Sequence, residues 1–167
     1  MTLNGAYDDE NSFAKILRQE ASAVRVYEDA DVLAFMDLFP QSTGHVLVIP
    51  KIDRAQNILE IDGATLVKLC VAVQNIAKAI HKTLRPDGIM VAQFNGDAAG
   101  QTVYHFHFHV IPCWTGQPLK GHGHGQRADT DELRKLAQAI AAGLGSPPAL
   151  LADGEPGGRA AGGGRPG

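Results

Sequence analysis

Apolar positions change period several times along the chain, and each change marks an element. Residues 12–20, SFAKILRQE, set Phe13, Ile16 and Leu17 three and four apart behind Asn11 or Ser12 as a cap, the pattern of a short amphipathic helix. AVRVYED and DVLAFMDLFP then alternate β-branched or aromatic residues around an acidic turn, as a hairpin does. GHVLVIPK follows the loop PQSTG as a third strand, so an antiparallel meander is predicted. From Ala64 to Leu84 the set Leu66, Leu69, Cys70, Val73, Ala77, Ile80 and Leu84 returns to helical spacing, and RPDG stops this long helix with its proline. IMVAQF (89–94) reads as a fourth strand, NGDAAGQT as a glycine-bearing loop, and VYHFHFHVIP as a fifth strand returning beside it. Asp129 with Glu132 opens a last helix carrying Leu133, Leu136, Ile140 and Leu144. The order predicts an α+β fold, a five-stranded antiparallel sheet with a long helix packed on it. One domain spans 1–128, a C-terminal helix at 129–145 packs on it, and the Gly/Pro/Ala-rich stretch 146–167 buries too little apolar surface to order.

Within the fifth strand, HFHFHVIP (105–112) carries the chemistry. Period-two alternation sends His105, His107 and His109 to one face and Phe106, Phe108 and Val110 to the other, whereas a helix would scatter the three imidazoles around its axis. A neutral imidazole near pH 7 attacks phosphorus, carries the transferred group and trades protons. The middle ring, His107, is the natural nucleophile; one nitrogen must be bare, and the other held protonated by an acceptor such as a backbone carbonyl. AGQT (99–102), just before the histidines, offers backbone N–H groups at Gly100, Gln101 and Thr102 plus a threonine hydroxyl to the phosphate oxygens. A neutral nucleophile also implies activity fading below about pH 6. H-x-H on a strand is equally a zinc-binding geometry, which stays open as an alternative, although no carboxylate or cysteine partner lies in a matching pattern. His81 falls on the polar side of the long helix and reads as surface; His122 and His124, spaced by glycines, read as solvated loop.

Composition narrows the partners. With 167 residues, a net charge of -3 and no basic block, there is no electrostatic case for gripping nucleic acid. Cys70 and Cys113 stand far apart, which suggests neither a disulfide framework nor a zinc knuckle and makes the cytoplasm the default. The opening MTLNGAYDDENS has no signal-peptide pattern, and no uncharged apolar run is long enough for a bilayer, so no membrane association is expected.

HFHFHVI resembles the His-φ-His-φ-His-φ-φ signature, φ being apolar, of the histidine triad (HIT) family of nucleotidyl hydrolases and transferases. Its companions match in order over about residues 12–112: GHVLVIPK looks like the family strand bearing a fourth histidine, here His45; FMDLFPQSTGH (35–45) looks like the nucleoside-binding segment, with Asp37 and Leu38; AGQTVYH looks like the phosphate loop. The resemblance implies a sheet that pairs across a two-fold axis into a continuous sheet in a homodimer. It implies that His107 attacks the α-phosphorus of an adenosine or similar purine nucleotide, forming a nucleotidyl-histidine that water cleaves. By the same pattern the His105 carbonyl holds the far nitrogen of His107, His109 contacts phosphate, His45 closes the site, and Asp37 accepts from the ribose hydroxyls. Asn95 and Thr102 fall where the family binds phosphate or leaving group. No cofactor or metal is required, although a divalent ion would suit polyphosphate substrates. FMDLFPQ resembles the Hint branch, which cleaves phosphoramidates and acyl-nucleotides; AGQTVYHFHFHVIP is closer to the Fhit branch, which cleaves dinucleoside polyphosphates. CWTGQPLKGHGHGQ after the triad matches neither, and Trp114 within it has two open roles, covering a leaving group or packing at a dimer interface. A nucleotide-binding interaction protein with residual catalysis remains the alternative from another class.

Overall fold

The computed structural model describes residues 3, 5–122 and 125–145. The tail beyond Gly145 and His124 lie outside the described residues. Helix α1 (Ser12–Leu17) is followed by strands β1 (Arg25–Glu28), β2 (Val32–Met36) and β3 (Val46–Pro50), and helix α2 (Gly63–Leu84) leads to β4 (Gly88–Ala92). A 3₁₀ turn (Asp97–Ala99), strand β5 (Phe108–Cys113) and helix α3 (Thr130–Gly143) complete the order. The strands form one antiparallel sheet in the order β1-β2-β3-β5-β4, so the predicted meander is followed by a β4–β5 pair that enters the sheet through β5.

Local chemistry explains the ends. Asn11 Oδ1 accepts from the N–H groups of Phe13 and Ala14 at 3.0 and 2.9 Å and starts α1. That helix is shorter than the apolar spacing predicts, because the chain leaves it through Gln19 at φ 63°. Asp62 caps α2 through the Thr65 N–H at 3.0 Å, and Arg85, left-handed at φ 50° just before Pro86, ends it. Asp129 caps α3 through Asp131 and Glu132.

β2 and β3 are buried along their whole length, so their alternation divides residues between two apolar layers. Val32, Ala34, Met36, Val46 and Val48 face α2 and α3, meeting Leu69, Val73, Ile76 and Ile80 of α2 and Leu133, Ala137 and Ile140 of α3. Leu33, Phe35, Leu47 and Ile49 face the opposite way, under Phe13 and Ile16 of α1. By length and composition alone α2 is long and apolar enough to cross a bilayer, although Lys68 and Lys78 interrupt its apolar run. Its apolar stripe is spent on the sheet.

One strand boundary departs from the prediction. β5 begins at Phe108, so His105 and His107 precede it and only His109 lies in the ladder, paired with Leu47 and Ala92. The reason is Pro50 at the end of β3. It has no N–H to donate, and its carbonyl takes the His105 ring nitrogen at 3.0 Å, so the ladder cannot continue. The Phe106 N–H turns instead to the Ala55 carbonyl at 2.8 Å. The backbone stays extended, and the alternation survives: Phe106 and Val110 enter the helix-side core while the histidines occupy the α1 side.

Candidate active site

The three predicted imidazoles and His45 converge, all four buried to 3% exposure or less. Neighbouring ring centroids are 4.8 Å apart for His107–His109 and 5.2 Å for His45–His109, and Phe13 of α1 meets His107 edge-on at 5.1 Å. Beside them lies a cavity of about 230 Å³ lined by Phe13, Asp37, Leu38, Thr102, His107, His109 and His122, among others.

Hydrogen bonds to groups of known sense assign each tautomer. His107 Nδ1 lies 2.7 Å from the His105 carbonyl, which only accepts, so Nδ1 carries the proton and Nε2 is a bare lone pair. His105 Nε2 donates to the Pro50 carbonyl, leaving Nδ1 to accept from the Tyr7 hydroxyl at 2.5 Å. The backbone N–H of Gln41 donates to His45 Nδ1 at 3.2 Å, so His45 protonates Nε2 and donates to His109 Nδ1 at 3.0 Å. His109 Nε2 therefore carries a hydrogen, and that buried nitrogen has no partner among the described residues.

Burial favours the neutral rings. It pushes His107 and His105 down to about 4, His45 to about 3 and His109 to about 2; nearby imidazoles deepen the shift at His45, His107 and His109, while the accepting carbonyls oppose it at His107 and His105. Asp37 is raised by burial and restrained by the Phe39 N–H, which its Oδ1 accepts at 2.9 Å, and by His122 and His107. Its Oδ2 is 3.3 Å from His45 Nδ1. Asp37, His45 and His109 have ligand atoms close enough to surround a cation. Such an ion would have to break the Gln41–His45 or His45–His109 hydrogen bond, so these donors fit a proton network better than a metal centre.

Other predicted residues are placed differently. Leu38 and Thr102 line the cavity. Asn95 does not; its Oδ1 accepts from the Ile58 N–H and its Nδ2 donates to Gln93. The N–H groups of Gly100 and Gln101, expected to face phosphate, close the 3₁₀ turn onto the carbonyls of Asp97 and Gly96 at 2.9 and 3.0 Å. The Gln101 side chain is buried too, tying Gly96 to the carbonyls of Gln56 and Val103. The loop is thus held rigid by the groups assigned to the ligand, with Gly100 at φ 95° completing the turn. Trp114 sits beyond the end of β5, bridged to Gln117 and away from the cavity.

Sequence reasoning missed four site residues. Tyr7 comes from the N-terminal segment, which Gln56 and Asn57 hold through the carbonyls of Gly5 and Leu3. Phe13 reads as core alone. Phe94 packs against two histidines, edge-on to His109 with centroids 5.2 Å apart and tilted over His122 at 4.8 Å. His122, read as solvated loop, instead packs edge-on to His109 at 5.0 Å. Its loop is stitched over the cavity on both sides: Lys120 and Gln41 exchange backbone and side-chain hydrogen bonds at 2.9 and 3.0 Å, and the Ala128 N–H donates to the Leu38 carbonyl. Gly125 packs closely on this segment, where a Cβ would meet the Phe39 carbonyl oxygen at 3.2 Å.

Comparison with known proteins adds the following. The family model described as the HIT domain matches residues 18–115. Protein hit of Bacillus subtilis is 36% identical over 141 residues, 80% of this chain and 94% of its own. An adenylylsulfatase of Arabidopsis thaliana is 34% identical over 116 residues, 66% of this chain and 58% of its own. Among solved structures, a Hit-like protein of Bartonella henselae, described as involved in cell-cycle regulation and crystallised with an unknown ligand, is 49% identical; the match covers 83% of this chain and 99% of that one, with a TM-score of 0.76.

Proposed function

This chain belongs to the HIT-domain family, whose members bind nucleotides and act in general as hydrolases, and from that premise we propose that it cleaves purine nucleotide derivatives at the α-phosphorus through His107. One observation carries the reading: the His105 carbonyl holds the proton on His107 Nδ1 and leaves Nε2 free to attack. Atoms balance over two steps. His107 Nε2 bonds to the α-phosphorus as the leaving group departs with its electron pair; water then adds to phosphorus, the P–N bond breaks, and the nucleoside monophosphate is released. His109 Nε2–H is a ready donor to a phosphate oxygen. Asp37, on the cavity wall with Oδ2 3.3 Å from His45 Nδ1, is the acceptor for the ribose hydroxyls, and Leu38 supplies apolar wall for the base.

The leaving group is small: an amine, a carboxylate or a sulfate. No lysine or arginine is among the described residues lining the cavity, so nothing there offsets the charge of a long polyphosphate. The activity named for the Arabidopsis relative, on a nucleotide–sulfate anhydride, is consistent with this class. No metal is required, since the proton network already supplies the nucleophile and the donor. Two copies pair along β4, a sheet edge whose Met90 and Val91 are about half exposed; sedimentation equilibrium giving the mass of one chain would refute that pairing.

Mixing the protein with adenosine 5′-phosphoramidate, quenching in alkali and mapping peptides by mass spectrometry tests the covalent route. The expected result is a nucleotidyl adduct on the peptide containing His107, lost in His107→Asn together with at least about 1,000-fold of the turnover. Undiminished turnover in that variant refutes it.

A further inference from the structure

Five imidazoles meet at this site, and nucleotidyl transfer as described uses four. The fifth, His122, contributes a ring nitrogen, Nε2, that is buried without a partner among the described residues. Such a group costs about 1–3 kcal/mol when left unsatisfied, so it persists where something else completes it. His122 lies on the cavity wall beside His109, whose Nε2 is the other unpartnered imidazole nitrogen. Its ring is clamped by Phe94 and His109, and its Cδ2 comes within 3.9 Å of a side-chain position at Gly100. Lys120 and Ala128, on either side, are hydrogen-bonded to Gln41 and Leu38, so the loop is anchored to the segment that carries Asp37.

We propose that His122 is a further catalytic residue, its Nε2 serving the leaving group as His107 attacks. The proposal rests on the nucleotidyl-His107 reading above. The step requires a proton on His122 Nε2, the nitrogen without a partner among the described residues. As His107 Nε2 bonds to phosphorus and the P–X bond breaks, the electron pair goes to X, which takes the proton from His122 Nε2. In the second step His122 Nε2 removes a proton from the attacking water, P–O forms, P–N(His107) breaks, and the starting state returns. Its positive charge is met by the bound phosphate and by Asp37, whose carboxyl feels His122 across the cavity.

The test compares leaving groups. An adenosine phosphoramidate with an alkylamine needs protonation to leave, whereas the 4-nitrophenyl ester of AMP releases a stable anion unaided. With His122→Gln and His122→Phe, kcat/KM for the alkylamine substrate is expected to fall by about 100-fold or more and that for the nitrophenyl ester, which loses only the charge opposite the phosphate, by about 10-fold at most. Equal losses on both substrates, no loss on either, or rescue by Phe alone, which preserves the ring contacts, would overturn the proposal by leaving packing as the role. The parent reading fails separately: if the unaltered protein turns over both substrates yet never carries nucleotide on His107, the covalent route falls and this step with it. An adduct on His107 with equal responses to the two leaving groups sinks the role of His122 alone.

Discussion

At one end of the histidine row both ring nitrogens are occupied; at the other they are not. His105 donates to Pro50, accepts from Tyr7 and sits edge-on to Tyr7 and Phe13. His109, four residues further on and equally buried, spends Nδ1 on His45 and leaves Nε2 without a partner among the described residues, as His122 does beside it. Identical side chains at identical burial thus do different work. A buried imidazole with both nitrogens satisfied stabilises the fold and aims its neighbour, and here its own carbonyl sets the His107 tautomer. A buried imidazole with an orphan donor costs stability until a ligand oxygen arrives, the arrangement expected where charge develops.

Exchanging the two ends breaks the comparison most directly. His109→Leu is expected to lower kcat/KM by about 100-fold or more with a small net change in stability, because losing one unpaired buried donor is offset by leaving His45 Nε2–H without its acceptor. His105→Leu is expected to do the reverse: about 2–3 kcal/mol lost in urea denaturation, with activity down only several-fold, since the His105 carbonyl remains. Equal activity losses would erase the distinction.

Acid should affect the whole row, with a sign set by burial. An imidazole free in the unfolded chain titrates near 6.5, but His105 and His107 are pushed down to about 4 in the fold. Between those values the unfolded state binds more protons, so stability rises with pH through this window and is lost as pH falls from about 6.5 toward 4. Each such ring contributes about 2 kcal/mol to the loss by pH 5, and thermal denaturation from pH 7 to 5 reads the sum. The nucleophile itself stays neutral until near 4. The acid limb of kcat/KM therefore lies below pH 5, lower than the value near 6 that an exposed histidine implies; a limb at 6 with the fold intact would contradict the burial argument.

The smallest expected effect sharpens the same contrast. Tyr7→Phe leaves His105 Nδ1 without its donor and is expected to cost about 1 kcal/mol by urea titration and less than about 3-fold in kcat/KM. A larger loss of activity than of stability would move Tyr7 into the chemistry.

Much of this was legible in the amino-acid order, and the failures have physical causes. Periodicity located all five strands and three helices because side-chain direction follows backbone geometry over a few residues. It overran β5 by five residues, since the ladder's end depends on Pro50 in another strand. Ala-Gly-Gln-Thr (99–102) reads as a phosphate loop, yet two of its N–H groups, those of Gly100 and Gln101, are consumed by a turn visible only once folded. Tyr7 and His122 carry no local signal at all. The partner of Tyr7 stands 98 residues away, and His122 meets His109 and Phe94 only once its loop folds back onto the cavity.

By itself the sequence determined the row: three imidazoles on one side of an extended segment, the apolar residues between them, and the helix that backs the sheet. Those features follow from dihedral geometry and hydrophobic alternation, which act within a few residues. Only the tertiary structure decided which nitrogens hold protons, how far burial suppresses their charge, and that a fifth histidine closes the cavity. Tautomer and titration depend on acceptors, desolvation and neighbouring charge brought together from distant segments, quantities that come into being when the chain packs.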